Sequence, residues 1–212
     1  MASLTEFRSR VLPNIPDCPD MVADQAVLDA CIEFCERSNI VRATLAQITL
    51  TIAQFQVTPA PPASQKIVQI KQVWIDGTEI SPASEDSTGV FGFVTAVAGQ
   101  TVTLGQPRIF SEISPGLLAM YPRPDKAYVC TVRAATKPSR SATAVDDVLL
   151  EDWAGAIAAG ALSILFDMSA PWADPAKAKR ERAKFDSAIG NALIEATRGR
   201  NRAEDRVTPV WI

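Results

Sequence analysis

Histidine is absent from all 212 residues. That removes every nucleophilic scheme in which an imidazole acts as the base. It also leaves zinc only the four cysteines, Cys18, Cys31, Cys35 and Cys130, which lack the paired ligand spacing of a zinc site. Cys31 and Cys35 stand one helical turn apart and read as small core residues. No phosphate-binding loop is present, because Gly89-Val90-Phe91-Gly92 is not followed by Lys-Ser or Lys-Thr and lies among strand-like segments. Long apolar runs are missing too. The uncharged stretch from Trp153 to Phe166 is shorter than the roughly 20 residues a bilayer needs. The N-terminus has no basic region followed by an apolar segment, which predicts no signal peptide and a start in a cytoplasm. Carboxylates are plentiful, but they occur as sequence neighbours (Glu85 with Asp86, Asp146 with Asp147, Glu151 with Asp152, Glu204 with Asp205). Neighbours on a helix do not face one point, so capping and solubility account for them better than acid–base chemistry. Neither an enzyme nor a cofactor is expected.

What is present begins with helices. With 47% hydrophobic and 21% charged residues, the chain has the composition of a folded protein. The stretch around which it is organised runs from Asp146 to Arg198. Asp146 or Asp147 serves as an N-cap, and Trp153, Ile157, Ala161, Leu162 and Leu165 recur at helical spacing. The other faces of this helix carry Ala154, Gly155, Ala156, Ala158, Ala159 and Gly160. Glycine inside a helix costs about 1 kcal/mol relative to alanine, so close approach of another backbone is expected at both glycines. Asp174-Pro175 opens a second helix with core residues Ala178, Phe185, Ile189, Ala192, Leu193 and Ala196, closed by Gly199. The intervening Ser169–Ala173 break is short enough to make an αα-hairpin. Near the N-terminus, Ser3 and Glu6 match a capping box for a short helix over 4–10. The prolines at 13, 16 and 19 predict an extended segment, and Asp20 is the expected cap of a helix from Met21 to Ser38. That helix turns Val27, Cys31, Phe34 and Cys35 inward.

Between the helices lies strand chemistry. Residues 43–65 carry no charge, and Thr44 to Val57 alternates polar with β-branched or aromatic residues, which predicts one strand. Lys66 to Ile75 is a second, turned back at Asp76-Gly77 into Thr78 to Ile80. Val90 to Val97 and Thr101 to Leu104 read as a hairpin about Gly99-Gln100, followed by strands over 106–110, 116–121 and 127–137. The expected fold class is therefore α+β: a helical bundle, made of one long N-terminal helix and the C-terminal αα-hairpin, with an inserted antiparallel β subdomain. The expected divisions are 1–42 with 146–198 for the bundle, 43–145 for the insertion and 199–212 for a C-terminal extended arm.

Charge is unevenly placed. Residues 177–206 hold nine basic and five acidic side chains, a local +4 in a chain of net −3. Lys177, Lys179, Arg180, Arg182 and Lys184 crowd the start of the last helix, where the helix dipole opposes them. They are either a solvated face or a basic surface for an acidic partner. The tail carries Arg200, Arg202 and Arg206 and finishes Pro209-Val210-Trp211-Ile212. It either folds back or is held by a partner.

Three patches, taken in order, carry a resemblance. The first is Leu12 to Arg37, with Pro16-Asp17-Cys18-Pro19 before an acidic helix that ends Glu33-Phe34-Cys35-Glu36-Arg37-Ser38. Tyr121-Pro122-Arg123-Pro124-Asp125 before the strand leading to Lys137-Pro138 is the second. The third runs from Trp153 through Gly160-Ala161-Leu162 to Pro171-Trp172-Ala173-Asp174-Pro175 and the Phe185 helix. In this order the chain resembles the head-to-tail adaptor, or connector, proteins of tailed bacteriophages, including the tail tubular protein A type of short-tailed phages. The resemblance implies a structural virion protein of the neck, assembled in the host cytoplasm, without catalysis, cofactor or membrane. It implies a homo-oligomeric ring of about a dozen copies that joins the portal protein to the tail tube or nozzle protein and lines the DNA channel, touching the genome only transiently. Within it, Arg200, Arg202, Arg206, Val210, Trp211 and Ile212 become candidates for docking on the portal. The basic helix start becomes a surface for portal acids or passing DNA. The rival reading is a small cytoplasmic phage DNA-binding or packaging module that uses residues 177–184.

Overall fold

Asp76 and Gly77 both adopt positive φ, 48° and 81°, and Ile75 pairs with Thr78 across them. This is the two-residue turn their sequence predicts, and it joins β5 (Gln65–Ile75) to β6 (Thr78–Pro82). It belongs to a computed structural model that describes residues 1–83 and 103–198. The hairpin expected about Gly99-Gln100 lies outside these residues. The chain divides into two units, one formed by Met1–Val41 with the chain from Pro138, the other by Arg42–Lys137.

In the first unit, β1 (Ala2–Ser3) pairs antiparallel with β10 (Ala144–Val145). The Ser3–Glu6 capping box is present. It opens a 3-10 turn over Leu4–Phe7, followed by α1 (Arg8–Val11) and a second 3-10 turn over Leu12–Asn14. The chain is thus helical through Asn14 rather than extended, because Pro13 sits in the first turn, where its missing N–H leaves no bond unmade. Next comes α2 (Asp20–Ser38), capped by Pro19 and not by Asp20. Asp20 and Asp24 instead receive the Arg8 guanidinium, tying α1 to the first turn of α2. Asn39 ends α2 in the left-handed region and donates to the Cys35 carbonyl at 3.0 Å.

The helix expected from Asp146 is two. In α3 (Asp147–Glu151), Asp146 caps Val148 N–H at 3.1 Å, and α4 (Ala154–Asp167) follows. The break falls at Trp153, whose backbone leaves helical ψ while its ring packs on Phe34, centroids 5.3 Å apart. The Trp172 indole N–H bonds the Leu165 carbonyl at 3.1 Å and Asp174 N–H the Phe166 carbonyl at 3.0 Å. These bonds satisfy the last turn of α4 before α5 (Pro175–Arg198) begins. α4 packs against α5 and α2. The core they enclose includes Phe7, Val11, Ile15, Val27, Cys31, Phe34, Cys35, Ile157, Leu165 and Phe185.

The second unit departs furthest from expectation. The segment predicted as one strand gives three short ones, β2 (Arg42–Thr44), β3 (Ile48–Leu50) and β4 (Gln56–Val57). Its alternation slips between Leu45 and Leu50, both buried in one core although an odd number of residues apart. With β7 (Ile109–Ser114), β8 (Leu117–Tyr121) and β9 (Tyr128–Pro138), these strands make an eight-stranded sheet. Its order is β2-β9-β5-β6-β7-β8-β4, with β3 also on β9. The pairing of β6 with β7 is parallel.

A helical bundle carrying a small antiparallel insertion is therefore not the fold. The protein is mixed α/β, 41% helical with a large curled eight-stranded sheet, so neither part is an appendage of the other. The expectation failed because it joined successive strands as hairpins. The link from Pro82 to Ile109 is long enough for the crossover that a parallel pair requires. The sheet closes on its own core of Leu45, Leu50, Ile70, Val73, Ile75, Phe110, Leu118, Tyr128, Cys130 and Val132.

Candidate functional site

Helix α5 carries the basic candidates, and its start is built as the sequence indicates. The Asp174 carboxylate accepts from Lys177 N–H at 3.1 Å. That bond, with the Lys177 ammonium at 3.3 Å, holds its pKa below the ordinary aspartate value. The inward stripe is Ala178, Glu181, Phe185, Ile189, Ala192 and Ala196. Leu193, expected inside, is 44% exposed, since Ala192 takes the inward position. Glu181 escaped the sequence reading, although its place three residues after Ala178 and four before Phe185 marks it as inward.

Buried Glu181 explains two of the cations. Arg180 Nε lies 3.2 Å from its carboxylate, and Lys184 Nζ lies 2.8 and 3.0 Å from its two oxygens. Arg182 does a different job. Its guanidinium makes a bidentate pair with Glu33 of α2, and its Nε reaches Asp186 at 3.3 Å. Arg37 closes the ring, 2.9 Å from Glu33 and 2.5 Å from Asp186. Lys177 sits by Asp174 and 5.4 Å from the Phe166 ring centroid. Among the described residues, Lys179 alone of the five has no ion-pair partner. It stands at the lip of a shallow groove of about 500 Å³ between α4 and α5, beside Ile164, Asp167, Met168 and Pro175.

The four-charge ring is a clasp between α2 and α5, and it makes stability depend on acid. Burial pushes the Glu33 carboxyl up, but the hydrogen bonds from Arg182 and Arg37 outweigh it and leave the pKa lowered. Arg37 and Arg182 lower that of Asp186. Groups depressed in the fold stabilise it above their unfolded pKa, about 4.3 for Glu and 3.9 for Asp. The contribution disappears as pH falls through the lower folded values. Partly exposed pairs of this kind are worth only about 1 kcal/mol. The expected result is that Arg37→Gln/Arg182→Gln lowers the urea midpoint at neutral pH, and that its gap from wild type closes below about pH 4. A gap independent of pH would show that the arginines act through packing alone.

The inner side of this helical unit is organised by aromatic contacts. Phe34 touches both Trp153 and Phe185, with centroids at 5.3 and 5.9 Å. Of the two α4 glycines expected to meet another backbone, Gly160 is crowded by side chains instead: a Cβ there would meet the Phe185 ring at 2.7 Å and Ala30 Cβ at 3.0 Å. Gly155 is not, having nothing within 4 Å. All four cysteines are buried, and desolvation pushes the Cys31 thiol well up. Among the described residues no group of three or more His, Cys, Asp or Glu side chains could hold a metal, and no helix is long and apolar enough to cross a membrane. The portal-docking candidates Arg200, Arg202, Arg206, Val210, Trp211 and Ile212 lie outside the described residues.

What remains is a helical unit whose charges are spent largely on holding its own helices together, and a sheet unit with its own core. No curated protein matches the chain. The family profile described as SU10 adaptor protein matches residues 2–209. This protein therefore belongs to the SU10 adaptor family, a family of structural phage head-to-tail adaptors.

Proposed function

We propose that the chain is one subunit of a neck ring of about a dozen copies, seated beneath the portal, carrying the tail tube or nozzle below and surrounding the channel through which DNA passes. The observation that carries this reading is the family match over residues 2–209. A ring interface is heterologous, so each copy offers two different faces. The groove between α4 and α5, with Lys179 and Met168 at its lip, is one candidate face. The extended arm, residues 199–212, is the proposed contact to the portal, with Trp211 and Ile212 as apolar anchors. The rival reading, a DNA-binding module working through residues 177–184, has less to draw on, because four of those five cations already face carboxylates of their own unit.

Electron microscopy of the full chain mixed with isolated portal rings tests the proposal. A second ring stacked on the portal is the expected image, and a portal left bare at micromolar protein would refute it. Deleting residues 205–212 is expected to weaken portal binding at least tenfold, about 1.4 kcal/mol. Undiminished binding would take the arm out of the interface.

A further inference from the structure

The outer face of α5 changes character along its length. Its first half turns Lys177, Lys179, Arg180 and Lys184 to solvent, whereas its last two turns expose Gly190, Leu193, Ile194 and Thr197. These four follow one another at steps of three and four residues, so they share one side of the helix. Leu193 is 44% and Ile194 50% exposed. The Thr197 hydroxyl donates to the Leu193 carbonyl at 2.8 Å, so its polar group is satisfied by the helix itself. Asn191 and Arg198 border the patch.

Helix stability does not account for these residues. Glycine is the poorest helix former after proline, and a β-branched side chain such as Ile194 loses χ1 freedom in a helix. A Cβ at Gly190 would meet nothing within 4 Å among the described residues, so the glycine is not required by a neighbour there. The patch is also too small to seat a second copy, because two half-exposed aliphatic side chains are a minor part of the roughly 1,600 Å² that a stable protein pair buries. What fits is a short apolar segment, and one follows directly in the chain. Gly199, the expected stop of the helix, comes after Arg198, and residues 207–212 read Val-Thr-Pro-Val-Trp-Ile without a charge. The intervening residues 199–206 span up to about 26 Å when extended. Ile194 lies about 6 Å back from Arg198 along the helix axis, well within that reach.

We propose that residues 207–212 fold back on this patch of their own chain, with the Trp211 ring across Leu193 and Ile194 and the backbone passing close over Gly190. A link of this length holds segment and patch at an effective concentration in the millimolar range, so a contact too weak to join separate molecules persists within one. An aromatic ring on exposed aliphatic side chains removes apolar area from water on both partners. In a free subunit the fold-back covers Trp211 and Ile212, the same anchors assigned to the portal, and a portal must displace it before the arm can dock. The role of the portal rests on the adaptor reading, whereas the fold-back does not.

Iodide quenching of tryptophan fluorescence in the full chain tests it. The chain has four tryptophans, Trp74, Trp153, Trp172 and Trp211, so the Trp211 signal is the difference between the unaltered chain and Trp211→Phe. That signal is expected to be shielded, and Leu193→Glu/Ile194→Glu is expected to raise its quenching at least about threefold by releasing a latch closed about nine-tenths of the time. Both positions are exposed, and circular dichroism confirms that the variant is folded. With isolated portal rings the same variant is expected to bind about tenfold more tightly, because a site competent one-tenth of the time loses that factor from its affinity. Deleting residues 205–212 is expected to abolish this difference. Equal quenching of Trp211 with and without the two glutamates overturns the proposal. So does shielding that grows with protein concentration, which would assign the patch to the arm of another copy, or a variant that binds the portal less tightly while Trp211 stays shielded, which would make the patch itself a portal contact. Portal rings that bind neither form while the glutamates still expose Trp211 would instead remove the adaptor reading and leave the fold-back standing.

Discussion

Phe185→Ala is expected to destabilise the helical unit by about 3–5 kcal/mol, the range for deleting a buried phenylalanine ring. The side chain is fully buried and lies where all three long helices meet. It comes from α5, its ring packs on Phe34 of α2 at 5.9 Å, and it fills the space over Gly160 of α4. Little can collapse into the hole from α4, because its floor there is a glycine, whose Cβ position lies 2.7 Å from the ring. Loss of the transfer free energy is thus joined by a cavity with few groups able to relax into it. Urea unfolding followed by far-UV circular dichroism measures the effect. A shift below about 1 kcal/mol would mean that the three helices do not depend on this contact.

Gly160→Ala reverses an ordinary rule. In an open helix the change gains about 1 kcal/mol, and Gly155→Ala, with nothing within 4 Å, is expected to show that gain. At Gly160 the new Cβ would stand 2.7 Å from one ring carbon of Phe185 and 3.0 Å from Ala30 Cβ. Overpacking of this kind costs about 1–3 kcal/mol, so the gain is cancelled and a net loss of up to about 2 kcal/mol is expected. The two sites then couple. In the Phe185→Ala background the ring is gone, only Ala30 still crowds the site, and the cost of Gly160→Ala should shrink by at least about 1 kcal/mol. Simple additivity would place the clash elsewhere. Both experiments concern the shape of the helical unit, and a neck component must keep that shape against its neighbours.

Local chemistry carried most of what could be read in advance. Asp76-Gly77 names its own turn, because few residue pairs accept two consecutive positive φ values. Asp174-Pro175 names its helix start, and the spacing of Val27, Cys31, Phe34 and Cys35 names the inward side of α2. The order of three sequence patches was enough to point to the adaptor family. Where the reading failed, the deciding group lay far away in the chain. Asp20 does not cap α2 because Arg8 takes its carboxylate. Gly155 and Gly160 look alike in sequence, yet only one has a phenylalanine from α5 above it. The basic run at 177–184 looked like an open surface because its acids, Glu33 on another helix and Glu181 turned inward, give no sign of their position in a charge count.

The sequence by itself determined where the long helices lie, the Asp76-Gly77 turn and the family to which the chain belongs, since caps, turns and hydrophobic periods act over a few residues. Only the tertiary structure decided how the strands are ordered, that β6 and β7 run parallel, and which cations are consumed by clasps. Each of these depends on which distant strand or helix becomes a neighbour. That choice is made by burying whole faces together, and no short stretch of sequence encodes it.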